Sequence, residues 1–268
     1  MSEVDFGELA PVSRRTMVLF FMVDTSGSMA GSKIGQVNIA VREAIPEIVD
    51  IAADNIDADI KIAVLTFDSS AQWLYSTPVA ASDFQWQDLD SGGLTSFGEA
   101  CEKLNEKLSR KGNGFMAEVT GSLAPVIILL SDGEPTDNWE SSLEKLRKNR
   151  WFKSATKIAI AIGKDAVQET NKKVLDEFTG RTESVMLAPD PKALRKLIRV
   201  VAVTSSQIGS QSSPLSDNFE LNGNNSDEAA YENDGSAVME QIKKENPDVY
   251  TGEMLPVIDI NDIDGWED

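Results

Sequence analysis

The sequence predicts an α/β fold over residues 14–205: a Rossmann-like, doubly wound, mostly parallel sheet with helices on both faces, followed by an acidic C-terminal extension. Three observations predict it. Residues 17–23 and 124–130 are unbroken apolar runs, the pattern of strands buried on both faces of a parallel sheet. Between such runs, apolar side chains recur at spacings of three and four, the period of a helix with one buried stripe. Strand-like and helix-like stretches alternate, and their short connections call for right-handed crossovers that cover both sides of the sheet.

Taken in order, 17–23 is the first strand. The helix over 32–54 follows, with Ile34, Val37, Val41, Ala44, Ile45, Ile48 and Ala52 as its stripe and a kink at Pro46. Residues 60–67 form the next strand, with 72–75 as a short antiparallel partner ahead of the turn at Pro78. A helix over 97–108 stops before Gly112 and Gly114, and 115–122 read as a short helical passage. The run 124–130 is the most apolar of the chain and reads as a central strand. A helix over 139–149, a strand over 157–162, a helix over 166–178, a strand over 184–187 and a helix over 191–205 complete the domain. Residues 1–13 form an N-terminal extension. From residue 206 the composition shifts to Ser, Asn, Gly and Asp, so 206–268 read as a linker and acidic tail, with two helical turns over 237–244.

Composition narrows the function. The chain has no histidine, which removes Ser-His-Asp and Cys-His nucleophilic catalysis, His-ligated zinc and imidazole acid–base chemistry. The single cysteine, Cys101, excludes an internal disulfide framework and reads as a small buried hydrophobe on a helix. A net charge of −19 argues against nucleic acid as a partner, because its backbone demands a basic face. Most of that excess lies in the tail, where residues 205–268 carry 15 acidic side chains against two lysines. No apolar run approaches the ~20 residues that span a bilayer. The acidic N-terminus, with a short apolar stretch behind Arg14 and Arg15, does not fit a signal peptide. A cytoplasmic protein without membrane contact is the expectation.

The chemistry concentrates in three segments. Asp24-Thr25-Ser26-Gly27-Ser28 follows the first strand, Gly92-Gly93-Leu94-Thr95-Ser96-Phe97-Gly98 opens a helix, and Leu129-Leu130-Ser131-Asp132-Gly133-Glu134 closes the central strand. Ligands of doubly wound sheets sit beyond the carboxyl ends of the strands, where Asp24 and Asp132 both fall. Ser26, Ser28 and Thr95 are expected to ligate a metal directly, with Asp24 and Asp132 acting through waters or hydrogen bonds. An all-oxygen set with few direct charges suits Mg2+; Mn2+ also fits, and Ca2+ less well. Neutral hydroxyls leave the ion under-neutralised, so its open position invites an Asp or Glu from a protein partner. Two plainer readings stand beside this one. Asp-x-Ser-x-Ser also describes a serine-rich turn capping a helix, and Gly27, Gly92, Gly93 and Gly133 also suit tight loops that need positive φ.

Together these segments resemble the metal-ion-dependent adhesion site of von Willebrand factor A (vWA) domains, and the resemblance covers residues 14–205. Thr66-Phe67-Asp68-Ser69-Ser70-Ala71, the stretch from Asp90 through Ala100, and Asp132-Gly133-Glu134-Pro135-Thr136-Asp137 are similar to the bacterial TerY-type branch. That branch is associated with tellurium resistance and with stress- or phage-response gene clusters. Its members are often encoded beside a Ser/Thr kinase and a PP2C-type phosphatase, which implies an adaptor or substrate in a phospho-signalling system. Some relatives carry a C-terminal zinc ribbon; with one Cys and no His, this chain departs from them.

Rival readings are weaker in their residues. Asp24-Thr25-Ser26-Gly27 resembles the nucleophilic-aspartate loop of haloacid-dehalogenase-type phosphotransferases, but Ser26 stands where those hydrolases need a second aspartate. No P-loop or Gly-x-Gly-x-x-Gly motif is present. The chain is therefore read as non-catalytic. A structural adaptor with a vestigial metal site, working through its tail, is the second alternative. The tail is either a solvated acidic linker or a plug, in which Asp262 or Asp264 fills the metal position of its own or a neighbouring chain. Ser205, Ser206, Ser210, Ser212, Ser213 and Ser216 are candidate phosphoacceptors in a flexible stretch. Trp73, Phe84 and Trp86 serve either as core and edge packing or as an exposed rim where a partner docks.

Overall fold

The computed structural model describes residues 14–117, 121–133, 135–163, 166, 168–210 and 236–245. Among these residues the strands are β1 (Arg15–Asp24), β2 (Ala58–Phe67), β3 (Ala71–Trp73), β4 (Val79–Ala80), β5 (Val126–Ser131), β6 (Thr156–Ile162) and β7 (Val185–Ala188). They form one sheet in the order β3-β2-β1-β5-β6-β7, with β4 also pairing β2. Only the short β3 and β4 run antiparallel; β1, β2, β5, β6 and β7 are parallel. The order reverses at β1, which pairs with β2 on one side and β5 on the other. That reversal is the switch point at which doubly wound folds open a crevice.

The helices are α1 (Ser32–Asp54), α2 (Phe97–Lys107), α3 (Trp139–Arg147), α4 (Arg150–Ser154), α5 (Glu169–Thr179), α6 (Pro191–Ser210) and α7 (Ser236–Glu245). Every residue from Met17 to Val23 is fully buried, because alternate side chains of β1 enter two different cores. Met17, Leu19, Phe21 and Val23 pack with α1, α6 and α7, whereas Val18, Phe20 and Met22 pack with α2, α3, α4 and α5. The doubly wound, mostly parallel architecture is therefore as the sequence predicts, and α1 runs through Pro46 without interruption. Cys101 lies fully buried on α2, and burial pushes its thiol well above the ordinary range.

Several segments differ from expectation for identifiable reasons. Residues 115–117 turn instead of forming a helix, because Phe115 is drawn onto the sheet, 4.9 Å from the Trp73 ring and 6.3 Å from Phe20. The helix expected over 139–149 is α3, which ends at Arg147, and a short helix that the sequence reading did not anticipate, α4, follows it. Asn149 separates the two, accepting the Trp151 N–H at 2.8 Å as the cap of α4 while its own amide donates to Asn105 and Leu108.

The last helix of the domain also runs further than expected. α6 continues to Ser210, since Thr204, Ser205, Ser206, Gly209 and Ser210 form a face of small residues that lets it lie close to the sheet. A Cβ at Gly209 would stand 2.9 Å from a Val126 methyl. Ser205 and Ser206 are fully inaccessible, and Ser206 Oγ donates to the Ala202 carbonyl at 2.7 Å. Ser210 is buried as well. These three serines are thus parts of a helix interface, which corrects their reading as flexible phosphoacceptors. Ser212, Ser213 and Ser216 lie outside the described residues.

The two helical turns expected in the tail are α7, and its apolar residues are already spent. Val238, Met239 and Ile242 are buried in the core shared with α6. Ile242→Ala should lower the free energy of unfolding by about 2–3 kcal/mol, the usual cost of a large-to-small change at a buried site. Urea unfolding of the full chain measures it; an unchanged midpoint would show that α7 adds nothing to the domain.

Candidate metal centre

Asp24 is the last residue of β1, and Asp132 follows the last residue of β5, so the switch point brings both carboxylates to one edge of the sheet. Both are fully buried. Asp24 Oδ1 accepts the Ser26 N–H at 2.9 Å, folding the chain back in an Asx-type turn. Its Oδ2 accepts the Ser131 hydroxyl at 2.6 Å. Ser26 Oγ and Ser28 Oγ share a hydrogen bond at 3.0 Å, and Ser28 Oγ donates to Asp132 Oδ1 at 2.8 Å. Asp132 Oδ2 accepts from Lys33 Nζ at 2.5 Å, and the same ammonium donates to the Ser28 carbonyl at 3.1 Å. A continuous polar network therefore joins Asp24, Ser26, Ser28 and Asp132.

Thr95 arrives on a neighbouring loop that is laced to the first. Gly92 N–H donates to the Thr25 carbonyl at 2.8 Å, and Gly27 N–H to the Gly93 carbonyl at 3.1 Å. Gly93 has φ +79°, and a Cβ there would lie 2.3 Å from Ser69 Oγ, so both its conformation and its surroundings require glycine. Ser69 Oγ in turn accepts the Leu94 N–H at 3.1 Å. Thr95 itself is held from both sides of its peptide: its N–H donates to Thr136 Oγ1 at 3.1 Å, and its carbonyl accepts the Thr136 N–H at 2.9 Å. Asp137 anchors the start of α2 by accepting the N–H groups of Gly98 and Glu99 at 3.0 and 3.1 Å. Among Gly27, Gly92, Gly93 and Gly133, only Gly93 takes a positive φ. Gly27 is needed instead for close approach, since a Cβ there would meet the Gly93 carbonyl at 3.3 Å.

Burial is the main reason that the Asp24 carboxyl is pushed up to about 6. Hydrogen bonds from Ser131 and Ser26 offset part of that effect, and the nearby Asp132 charge adds to it. The donor chemistry fits a hard divalent cation: two buried carboxylates, three hydroxyl-bearing side chains and no sulfur or imidazole. Among the described residues, no group of three or more Asp, Glu, Cys or His side chains forms a cage, so this donor set owes as much to hydroxyls as to charge. The Lys33 ammonium on Asp132 already places one positive charge at this edge.

Of the residues singled out in the sequence, Asp24, Ser26, Ser28 and Asp132 meet in one network, and Thr95 stands on the adjoining loop. The aromatic residues do not form a rim. Trp73 packs edge-on to Phe20 and Phe115, and Trp86 donates its indole N–H to Asn38 Oδ1 of α1 at 3.1 Å. The two indoles are half-buried and pack against cores on opposite faces of the sheet, so they do not share one docking edge. Phe84 is fully within the core. Asp262 and Asp264 lie outside the described residues. Four side chains that the sequence reading left unassigned matter here: Lys33, Ser131, Thr136 and Asp137. Ser131 adjoins Asp132 in sequence, but nothing in linear spacing announces Lys33 as the partner of Asp132 or Asp137 as the anchor of α2. Leu94, next to Thr95, is 60% exposed and gives the loop an apolar surface.

Two predictions follow from this geometry. Since Asp24 moves from an ordinary value of 3.8 to about 6 on folding, the metal-free chain takes up a proton when it folds between those pH values. Its contribution to stability is complete below pH 3.8 and is lost as the pH rises through about 6. Asp24→Asn should therefore make the chelator-treated protein more stable than wild type by about 3 kcal/mol at pH 7, with the gap closing in acid. Urea titrations at several pH values read that difference. Gly93→Ala, with strained φ and a blocked Cβ, should cost more than about 1 kcal/mol and loosen the Thr95 loop. Thermal melts, together with faster amide exchange at Leu94 and Thr95, would report both effects.

Comparison with known proteins agrees with the fold. The family model for the von Willebrand factor type A domain matches residues 19–200. No curated protein matches the chain. Among solved structures, a von Willebrand factor type A protein from Catenulispora acidiphila superposes with a TM-score of 0.50 at 20% identity, covering 72% of this chain and 43% of that one. The pilus adhesin SpaC from Lactobacillus rhamnosus GG, in its open conformation, gives 0.56 at 14% identity, covering 73% and 30%. Proximal thread matrix protein 1 from the mussel byssus gives 0.51 at 18% identity, covering 75% and 48%. The chain thus spans less than half the length of each of these three. With the matched region running from inside β1 into α6, and with the site at the sheet's switch point, the chain belongs to the von Willebrand factor type A domain family.

Proposed function

We propose that this protein is a non-catalytic, metal-dependent interaction module that captures a carboxylate of a protein partner. Domains of this family mediate protein–protein interactions and commonly bind a divalent metal at such a site. The observation that carries the reading is the network at the switch point, in which two buried carboxylates organise the hydroxyls of Ser26 and Ser28 beside the Thr95 loop. Ser26, Ser28 and Thr95 would hold the ion, and Asp24 and Asp132 would orient them and balance its charge. Mg2+ suits this oxygen set best, with Mn2+ next. When bound, such an ion offers a Lewis-acidic position that a partner's Asp or Glu completes.

What this chain's residues do is position and exclude. The Ser26 amide and the Ser131 hydroxyl each bond one oxygen of the buried Asp24, which fixes that carboxyl in place as a structural group. This supports the non-catalytic reading over a phosphotransferase. The resemblance of residues 66–71, 90–100 and 132–137 to the TerY-type branch supports a role as adaptor or substrate in a cytoplasmic bacterial kinase and PP2C-phosphatase system for stress or phage response, including tellurium resistance. Among the described residues no helix is long and apolar enough to cross a membrane.

Isothermal titration of Mg2+ and Mn2+ into chelator-treated full-length protein tests the reading. Wild type should bind one ion, while Asp24→Ala and Thr95→Ala should each lose at least about tenfold in affinity, roughly 1.4 kcal/mol. Partner capture should then require the metal. Absence of binding in wild type would discard the metal-dependent module and leave the adaptor with a vestigial site.

A further inference from the structure

Lys33 is the second residue of α1, placed by the turn at Gly31, whose φ is +71°. Its side chain is only 13% exposed, and it closes on a carboxylate that is entirely inaccessible. The ammonium lies 2.5 Å from Asp132 Oδ2 and 3.1 Å from the Ser28 carbonyl. It therefore engages two of the five residues assigned to the metal, one by its side chain and one by its main chain. Burial of an uncompensated carboxylate is strongly unfavourable, so a buried Asp132 needs a cationic partner in the metal-free chain. A lysine meets that need as a compact point charge on a flexible stem, and the same flexibility allows it to withdraw.

Two positive charges close to one carboxylate repel each other, with little water between them to screen the repulsion. The geometry points to Lys33 as an internal counter-cation that competes with the divalent ion for Asp132 and thereby sets the metal affinity of the centre. This inference rests on the proposed metal-dependent reading and adds a residue that tunes it. Without metal, Lys33 holds Asp132 and Ser28 in their bound arrangement and preserves the loops. When metal binds, Asp132 is shared or surrendered and the lysine side chain is displaced toward solvent. The centre is then an exchange between an intramolecular cation and an external one, and its occupancy follows the free metal concentration instead of being permanent.

The test uses full-length protein treated with chelator, with Mg2+ as the probe. Lys33→Met keeps the aliphatic stem and removes the charge; Lys33→Arg keeps a charge. Calorimetry should show the Mg2+ dissociation constant of Lys33→Met falling about tenfold relative to wild type, with Lys33→Arg remaining near wild type. The melting temperature of chelated Lys33→Met should fall below that of chelated wild type, and saturating Mg2+ should raise it by more than it raises wild type. A second measurement needs no variant: an amine-reactive acetylating reagent, read out by peptide mass spectrometry, should modify Lys33 of wild type several-fold faster with saturating Mg2+ than with chelator. Equal or weaker Mg2+ binding by Lys33→Met, in a wild type that does bind, would overturn the competition while leaving the metal reading intact. An unchanged modification rate at saturating Mg2+ would do the same. Mg2+ binding by neither protein would overturn both.

Discussion

Asp24 and Asp132 carry like charges to one edge of an apolar sheet, and both are sealed from solvent. Such a pair repels itself and loses its hydration, so every neighbouring group is arranged to compensate. The Ser26 amide and Ser131 hydroxyl are committed to Asp24; the Ser28 hydroxyl and Lys33 ammonium are committed to Asp132. Remove the pair and there is no reason for the loop after β1 to fold back, or for a lysine in the first turn of α1 to point inward. The burden is unequal. Asp132 has a full positive charge against it, whereas Asp24 has only dipoles, and burial drives Asp24 toward its protonated form.

The rest of the fold serves to hold that edge still. β1 is paired along its length with β2, and across Leu19 to Val23 with β5, so the positions of Asp24 and Asp132 are set by register and not by loop flexibility. The two cores then clamp the sheet from both faces, with the side chains of β1 divided between them. Only the short loops beyond the strand ends are free to carry chemistry, and even those are cross-tied by Gly27 to Gly93 and by Thr136 to Thr95. A rigid frame with hydroxyls at its rim suits reading a partner's charge, because little ordering remains to be done on binding.

The chain is also divided electrostatically. Its strongly acidic segment begins where the domain's last long helix ends, yet the docking of α7 shows that part of this segment belongs to the folded body. Val238, Met239 and Ile242 lie among charged neighbours, and three apolar residues on one side of a short helix are enough to seat it against α6.

How far the sequence alone reached can be judged from particular residues. Unbroken apolar runs announced β1 and β5, because a strand buried on both faces has no polar side to show. The Asp-x-Ser-x-Ser motif announced the first loop, because its oxygens alternate along a few consecutive residues. What stayed hidden depended on partners distant in the chain. Phe115 turns toward Trp73 and Phe20 instead of continuing a helix, and no local pattern records those rings. Serines at the end of α6 have linker composition, and only close packing against β5, through Gly209 and Val126, makes them interior. Lys33 is separated from Asp132 by 99 residues, and a lysine on an amphipathic helix ordinarily faces water. By itself, then, the sequence determined the alternation of strands and helices and the residue types of the centre, since both are written in local periodicity and motif. The tertiary structure decided which side chains compensate the buried charges and which polar residues are interior, because those choices follow from which surfaces meet once the sheet is assembled.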